Sequence, residues 1–326
     1  MKRLTVCFAL TILSCYEIDA QGCSDAGFCT MGAMKPDQSY SKKIDFKLRS
    51  LELNYYYGTT TLTPKITVYT ADVAIGINAK TSFQLKLPYQ TVTGNFGDNA
   101  GMGDISVSAS RTVGKWKGYS IGATIGGKIP SGYGSDKASG EGGTFGANGG
   151  NPGDLPMYYQ VSLGSYDVVA GASMINEKWL FATGIQIPII HQNDNDFRWG
   201  KWPNYPGGEE YVKKYWLANN LKRGTDVMLR VERNWRFLNY NFSFGALPIY
   251  RITKDRRYDF TPGVEKMIKV PNSTGLALSV LGSAGYHFNV NNSVKLIYGL
   301  KLMDRENNPD GLTRHSVTSF SYIYRF

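Results

Sequence analysis

Arg314-His315-Ser316-Val317-Thr318-Ser319-Phe320-Ser321-Tyr322-Ile323-Tyr324-Arg325-Phe326 alternates polar with aromatic or apolar side chains to the last residue. In extended backbone successive side chains point to opposite faces, so Phe320, Tyr322, Tyr324 and Phe326 share one face. Val317, Ser319, Ser321, Ile323 and Arg325 share the other. One face suits lipid and the other suits water.

The same period runs back through the chain. Tyr240, Phe242, Phe244 and Ala246 oppose Asn239, Asn241, Ser243 and Gly245. Val294, Leu296, Tyr298, Leu300 and Leu302 oppose Lys295 and Lys301, and Phe83, Leu85, Leu87 and Tyr89 oppose Ser82, Gln84, Lys86 and Gln90. The prediction is an all-β, antiparallel transmembrane β-barrel of about 12 strands in the bacterial outer membrane. The strands are expected near 46–57, 64–78, 80–91, 103–113, 118–130, 158–175, 178–190, 224–236, 238–251, 274–288, 292–303 and 313–326. Long connections (58–63, 92–102, 131–157, 191–223, 252–273, 304–312) then alternate with turns of about one to four residues, as external loops and periplasmic turns do in such barrels. A soluble sandwich gives no reason for that alternation. Arg111 and Arg233 fall on the lipid face, both near periplasmic ends, where a long basic side chain snorkels to the headgroups.

Among 326 residues, 22 Tyr, 15 Phe and 37 Gly suit aromatic girdles and glycine turns. Lys2 and Arg3, the apolar run LTVCFALTILSC and a polar stretch ending at Ala20 predict a signal peptide over 1–20. Lipoprotein processing at Cys15 is a competing reading of the same stretch. Residues 21–44 show neither helix nor strand period and are expected to form a periplasmic or plug-like tail, with a disulfide between Cys23 and Cys29 in an oxidising compartment. The barrel itself is expected over 45–326. The net charge of +10 is scattered and mostly matched by nearby acids, so anionic lipid headgroups or an anionic solute, rather than nucleic acid, are the expected partners. No metal or cofactor site is expected.

Carrying the register through each strand puts Glu52, Asp72, Asp104, Asp167, Asp226 and Glu232 on the inner wall. Beside them fall Lys86, Lys128, Arg230, Arg236, Lys295, Lys301 and Arg325. Such charges either pair across strands or line a water-filled passage. The longest external loop carries Phe197, Trp199, Trp202, Tyr205, Tyr211, Tyr215 and Trp216 among charges, a composition for anchoring or constricting the mouth or for holding a ligand by stacking. Enzyme chemistry is not expected: a barrel lipase needs Ser with His, and of His191, His287 and His315 the last two fall on the inner face, away from lipid.

Three motifs, Gly101-Met102-Gly103-Asp104-Ile105, Gly127-Lys128-Ile129-Pro130-Ser131-Gly132 and Leu163-Gly164-Ser165-Tyr166-Asp167-Val168, resemble in kind and order those of the MetA-pathway phenol-degradation family. These are outer-membrane barrels distantly related to the fatty-acid transporter FadL. The resemblance runs from about residue 45 to the C-terminus, departing at long insertions over 133–157 and 191–223. It implies uptake of small hydrophobic or aromatic solutes, no catalytic residues, and a meeting of Asp104, Lys128 and Asp167 on the inner wall. The expected function is a channel or passive transporter for small solutes, hydrophobic or anionic. The alternative is a non-conducting structural or assembly barrel that binds another envelope protein.

Overall fold

The computed structural model describes residues 31, 34, 35, 47–60, 62–138, 153–312 and 314–326. The signal segment, both tail cysteines and the middle of the glycine-rich loop lie outside the described residues.

Among the described residues fifteen strands follow in order: β1 (Lys47–Thr60), β2 (Lys65–Gly76), β3 (Thr81–Gly94), β4 (Gly97–Met102), β5 (Ile105–Trp116), β6 (Tyr119–Ile129), β7 (Ser165–Ile175), β8 (Trp179–His191), β9 (Asp226–Phe237), β10 (Tyr240–Arg251), β11 (Arg256–Asp259), β12 (Lys266–Lys269), β13 (Gly275–His287), β14 (Asn292–Met303) and β15 (Arg314–Arg325). β11 and β12 form a hairpin within an external loop. β4 and β5 are one wall strand interrupted at Gly103 and Asp104, since both pair with β3. Twelve antiparallel wall strands result, and β1 pairs with β15 to close the barrel, Leu53 opposite Tyr322 and Tyr55 opposite Phe320. No helix among the described residues is long and apolar enough to cross a membrane.

Closure leaves no free edge around the wall, and the side-chain period sorts the two faces. On β15, Phe320, Tyr322 and Tyr324 are exposed while Ser319 and Ser321 are buried; on β14, Leu296 and Tyr298 are exposed while Lys295 and Lys301 are buried. This inversion, apolar groups outside and charges inside, is what a lipid solvent demands.

The short-turn end carries the periplasmic signals. Lys117 and Gly118 both have positive φ, 46° and 83°, the backbone of a two-residue hairpin whose twist matches its strands. Asn78, Asn176 and Asn289 each accept two backbone N–H bonds through Oδ1 at the start of a turn, at 2.6–2.9 Å. At this end aromatic rings touch in series, Tyr240 with Tyr286 at 4.9 Å and Tyr286 with Phe288 at 5.1 Å, and the Arg233 guanidinium lies 5.0 Å from the Trp179 ring. Arg233 therefore sits in a belt of interfacial rings, and Arg111 is exposed near the same end.

Two expected boundaries are corrected. Residues 97–102, expected as loop, form β4: Gly97, at φ 112°, allows a tight reversal that completes the ladder along the upper part of β3. Residues 158–164, expected as strand, instead turn inward through a short 3₁₀ segment, Met157–Tyr159, whose side chains are all buried. Their apolar character is spent on the mouth of the barrel, so β7 begins only at Ser165.

Candidate functional site

The inner wall carries two layers of charge. In the layer nearer the periplasm, Glu52 of β1 lies opposite Asp72 of β2, and Asp72 opposite Lys86 of β3. Lys35, from the segment preceding the barrel, reaches both acids, its Nζ 2.5 Å from Glu52 and 2.8 Å from Asp72; Gln84 donates to both oxygens of Asp72, and Lys86 lies 3.8 Å away. Met31 and Met34 are buried among Val169, Leu180, Ala182, Met228, Leu247 and Leu281 of β7 to β10 and β13, on the far side of the strand order from β1 and β2. The described residues of this segment therefore bridge the lumen, two methionines in an apolar socket on one wall and a lysine on the acids of the other. Period-2 reading had no means to find this strut.

Arg230 and Glu232 of β9 are buried and bonded, Arg230 Nε donating to Glu232 at 2.6 Å. Lys295 is buried on β14 opposite Ser321 of β15. Lys301 is 1% exposed and holds Asp304 at 2.7 Å. Arg236 departs from expectation: it keeps the inward parity, but it is exposed at the periplasmic end of β9, below the enclosed lumen. Arg325, partly buried, donates to Ser293 at 3.0 Å near the same rim.

The outer layer begins with the three resembling motifs, which do meet. Lys128, opposite Asp167 in the ladder, is 2.8 Å from Asp104 and 4.0 Å from Asp167, and all three are buried. Asp104 also accepts from Ser162 Oγ at 2.5 Å and Leu163 N at 3.3 Å; Asp167 accepts from Ser165 Oγ at 2.7 Å, from Gln186 and from Arg223 at 3.1 Å. Each buried carboxylate is thus met by several donors. A cavity of about 20 Å³ between Asp104, Lys128, Gln160 and Leu312 has room for about one water.

From Arg223 the network continues into residues that strand reading missed. Arg251 donates to both oxygens of Asp226 at 2.8 and 2.7 Å and to both oxygens of Asp255 at 2.9 and 2.8 Å. Asp310, in the loop between β14 and β15, lies within 4 Å of Arg223, Arg251 and Arg305. Burial alone would raise the Asp310 carboxyl, but Arg251, Arg305 and Arg223 hold it well below the usual carboxylate range. Burial pushes Asp255 the other way, with Asp310 adding to the push against Arg251. Arg223, Asp255, Arg305 and Asp310 all lie in loops, where no periodicity marks a residue as inward.

The external loops fold into the mouth. Phe197, Trp202, Tyr205 and Tyr215 are buried with Phe96, Tyr159 and the lumen-facing Ile66, Val68 and Val92, while Trp199 and Trp216 are partly buried. Phe96 is the hub, its ring 4.7 Å from Trp202 and from Tyr205 and 4.8 Å from Tyr215. The hydroxyls of Tyr159, Tyr211 and Tyr215 gather on Thr63 Oγ1 at 3.2, 2.9 and 2.8 Å. Burial raises the Tyr159, Tyr205 and Tyr215 hydroxyls above their ordinary values, so they remain neutral donors. The rings are turned onto one another. Leu312 closes a second apolar cluster with Met157, Leu163, Ala218 and Leu221. Gly311, at φ 66°, lies where a Cβ would come within 2.6 Å of the Tyr158 backbone. Three loops thus form one lid.

With that geometry in view, an outer membrane channel from Pseudomonas putida F1 aligns over 88% of this chain and 98% of its own, at 12% identity and a TM-score of 0.54. The chain has the fold of an outer-membrane β-barrel. The NanC porin aligns over 86% of this chain and 99% of its own (11% identity, TM-score 0.42), and the CymD monoaromatic hydrocarbon channel over 95% of each (12% identity, TM-score 0.39). No protein-family model and no curated protein matches the sequence.

The three histidines are dispersed around this barrel. His191 ends β8 and His315 lies near the start of β15, both at the external side, while His287 ends β13 at the periplasmic side.

Proposed function

We propose that this protein is an outer-membrane channel or passive transporter for small solutes, with a narrow passage that the lid and the residues Met31, Met34 and Lys35 hold closed. The observation that carries the reading is the bridge from Lys35 to Glu52 and Asp72. Elsewhere in the lumen wall charges pair with one another, as Lys128 does with Asp104 and Arg230 with Glu232, and Asp72 has Lys86 at 3.8 Å, whereas Glu52 takes its close ion pair from a segment outside the wall. Withdrawing that segment leaves Glu52, Asp72 and Lys86 facing an aqueous lumen. The Pseudomonas putida protein with the shared fold is described as a channel, which supports the same reading. The motif resemblance supports small hydrophobic or aromatic solutes, and the arginine-rich outer layer supports anionic ones. Lys86, Lys128, Arg230, Lys295 and Lys301 would then set selectivity against Glu52, Asp72, Asp104 and Asp167. The fold shared with the Pseudomonas putida channel supports transport rather than enzyme chemistry.

The packed lid favours the second reading, a non-conducting barrel that binds an envelope partner. Planar-bilayer recording separates the two. The protein should pass a small current that rises when residues 21–44 are deleted, and rises less with Lys35→Ala alone. Silence in every form would leave the assembly role.

A further inference from the structure

Three guanidinium groups converge on one oxygen. Asp310 Oδ2 lies 3.6 Å from Arg223 Nε, 2.9 Å from Arg251 Nη2 and 3.7 Å from Arg305 Nη2. It is fully buried, yet it receives no directed hydrogen bond, and Arg223 Nε, also buried, donates none. Donor and acceptor face each other across 3.6 Å, too far to bond. At this oxygen the charge is therefore met while the hydrogen-bonding geometry is not, although the other oxygen, Oδ1, accepts from Leu312 N at 3.3 Å. A buried acceptor held by charge without direction is a poor occupant of a site built from donors.

The occupant also belongs to a removable element. The β14–β15 ladder runs from Asn292 opposite Tyr324 to Leu300 opposite Ser316, so no wall pairing depends on the loop that carries Asp310. Arg251, by contrast, ends a wall strand and is fixed by two further carboxylates. If Asp310 leaves, three guanidinium groups face Asp167, Asp226 and Asp255, and one incoming monoanion restores the previous charge. The apolar cluster of Leu312, Leu221 and Ala218 adjoins the cradle, two residues along the chain from Asp310 and from Arg223.

We propose that Arg223, Arg251 and Arg305 form the entry site for a small carboxylate with an apolar body, and that Asp310 is its tethered competitor, holding the lid shut until a solute carboxylate replaces it. This rests on the channel reading above. A free carboxylate can turn to accept from Arg223 Nε and Arg251 Nη2 together, which the tethered one does not.

The test uses the folded full-length protein in detergent, with benzoate as the probe and benzamide as its neutral isostere, measured by calorimetry. An internal competitor lowers apparent affinity by the fraction of time it fills the site, so Asp310→Asn should bind benzoate about tenfold tighter than the wild type or more. Arg305→Gln, at the rim of the cradle, should bind it more weakly, and benzamide should not follow either change. Equal benzoate affinity in wild type and Asp310→Asn, or benzamide binding as well as benzoate, overturns the inference; so does unchanged affinity in Arg305→Gln, which decides the matter should Asp310→Asn not fold. Bilayer current separates the two claims. Current with no effect of these variants on benzoate binding sinks the cradle and spares the channel, while tight benzoate binding in a protein that never conducts does the reverse.

Discussion

Lys128 shows what a single buried cation does here. It stands between Asp104 and Asp167, and its side chain is 1% exposed. Replacing it with Met removes the cation that pairs with Asp104 and leaves Asp167 with Arg223. Breaking a buried pair from one side costs about 3–5 kcal/mol, and the hydroxyl and backbone donors on Asp104 place this site at the lower end of that range. Urea unfolding in detergent, followed by tryptophan fluorescence, should show Lys128→Met destabilised by about 3 kcal/mol. The double variant Asp104→Asn with Lys128→Met should recover part of the loss, because neighbours in one network are not additive. An unchanged unfolding midpoint in the single variant would mean that water reaches these carboxylates.

At the level of elements, the lid's external loops interlock through apolar clusters and an ionic network that includes Asp255 and Asp310. Asp310 is held below its ordinary value, so its contribution is complete above the unfolded value of about 4 and is lost only as the pH falls through the lowered one. Asp255 is raised, so its contribution grows as the pH falls through its raised value. Neither of these two carboxyls opens the lid in mild acid. Conductance at pH 5 should equal that at pH 7 or fall below it, and a rise on acidification would show that another group governs closure. The lid also explains where sequence reading of elements went astray. Residues 158–164 are apolar enough to pass for wall, but Tyr159 serves the aromatic cluster under Phe96, with ring centroids 5.6 Å apart.

For the whole molecule, lipid is the solvent that makes the face assignment energetic rather than decorative. Leu296 lies mid-strand on β14, opposite Phe320 of β15 and Ala284 of β13, and is 46% exposed. An arginine placed on the lipid face near the bilayer midplane costs about 2–4 kcal/mol. Leu296→Arg should therefore lower folding yield into lipid vesicles and reduce the unfolding free energy obtained from urea titration by that amount, whereas Ser283→Arg, inside the lumen, should be judged by conductance. A harmless Leu296→Arg would mean that this face does not meet lipid.

What the sequence by itself determined is the wall. Alternation in segments such as Arg314–Phe326 and Tyr240–Arg251 reads out directly, because a strand's side-chain period is 2 and a bilayer outside with water inside rewards strict sorting. The motif residues Asp104, Lys128 and Asp167 were legible for the same reason, each lying on an inward parity or beside it. Only the tertiary structure decided what fills the wall. Lys35 spans the lumen to Glu52 and Asp72, Phe96 gathers the loop aromatics, and Asp310 lies among Arg223, Arg251 and Arg305. These residues come from segments without a period, and their partners are set by which loops fold inward. That choice depends on contacts between segments far apart in the chain, which no local pattern encodes.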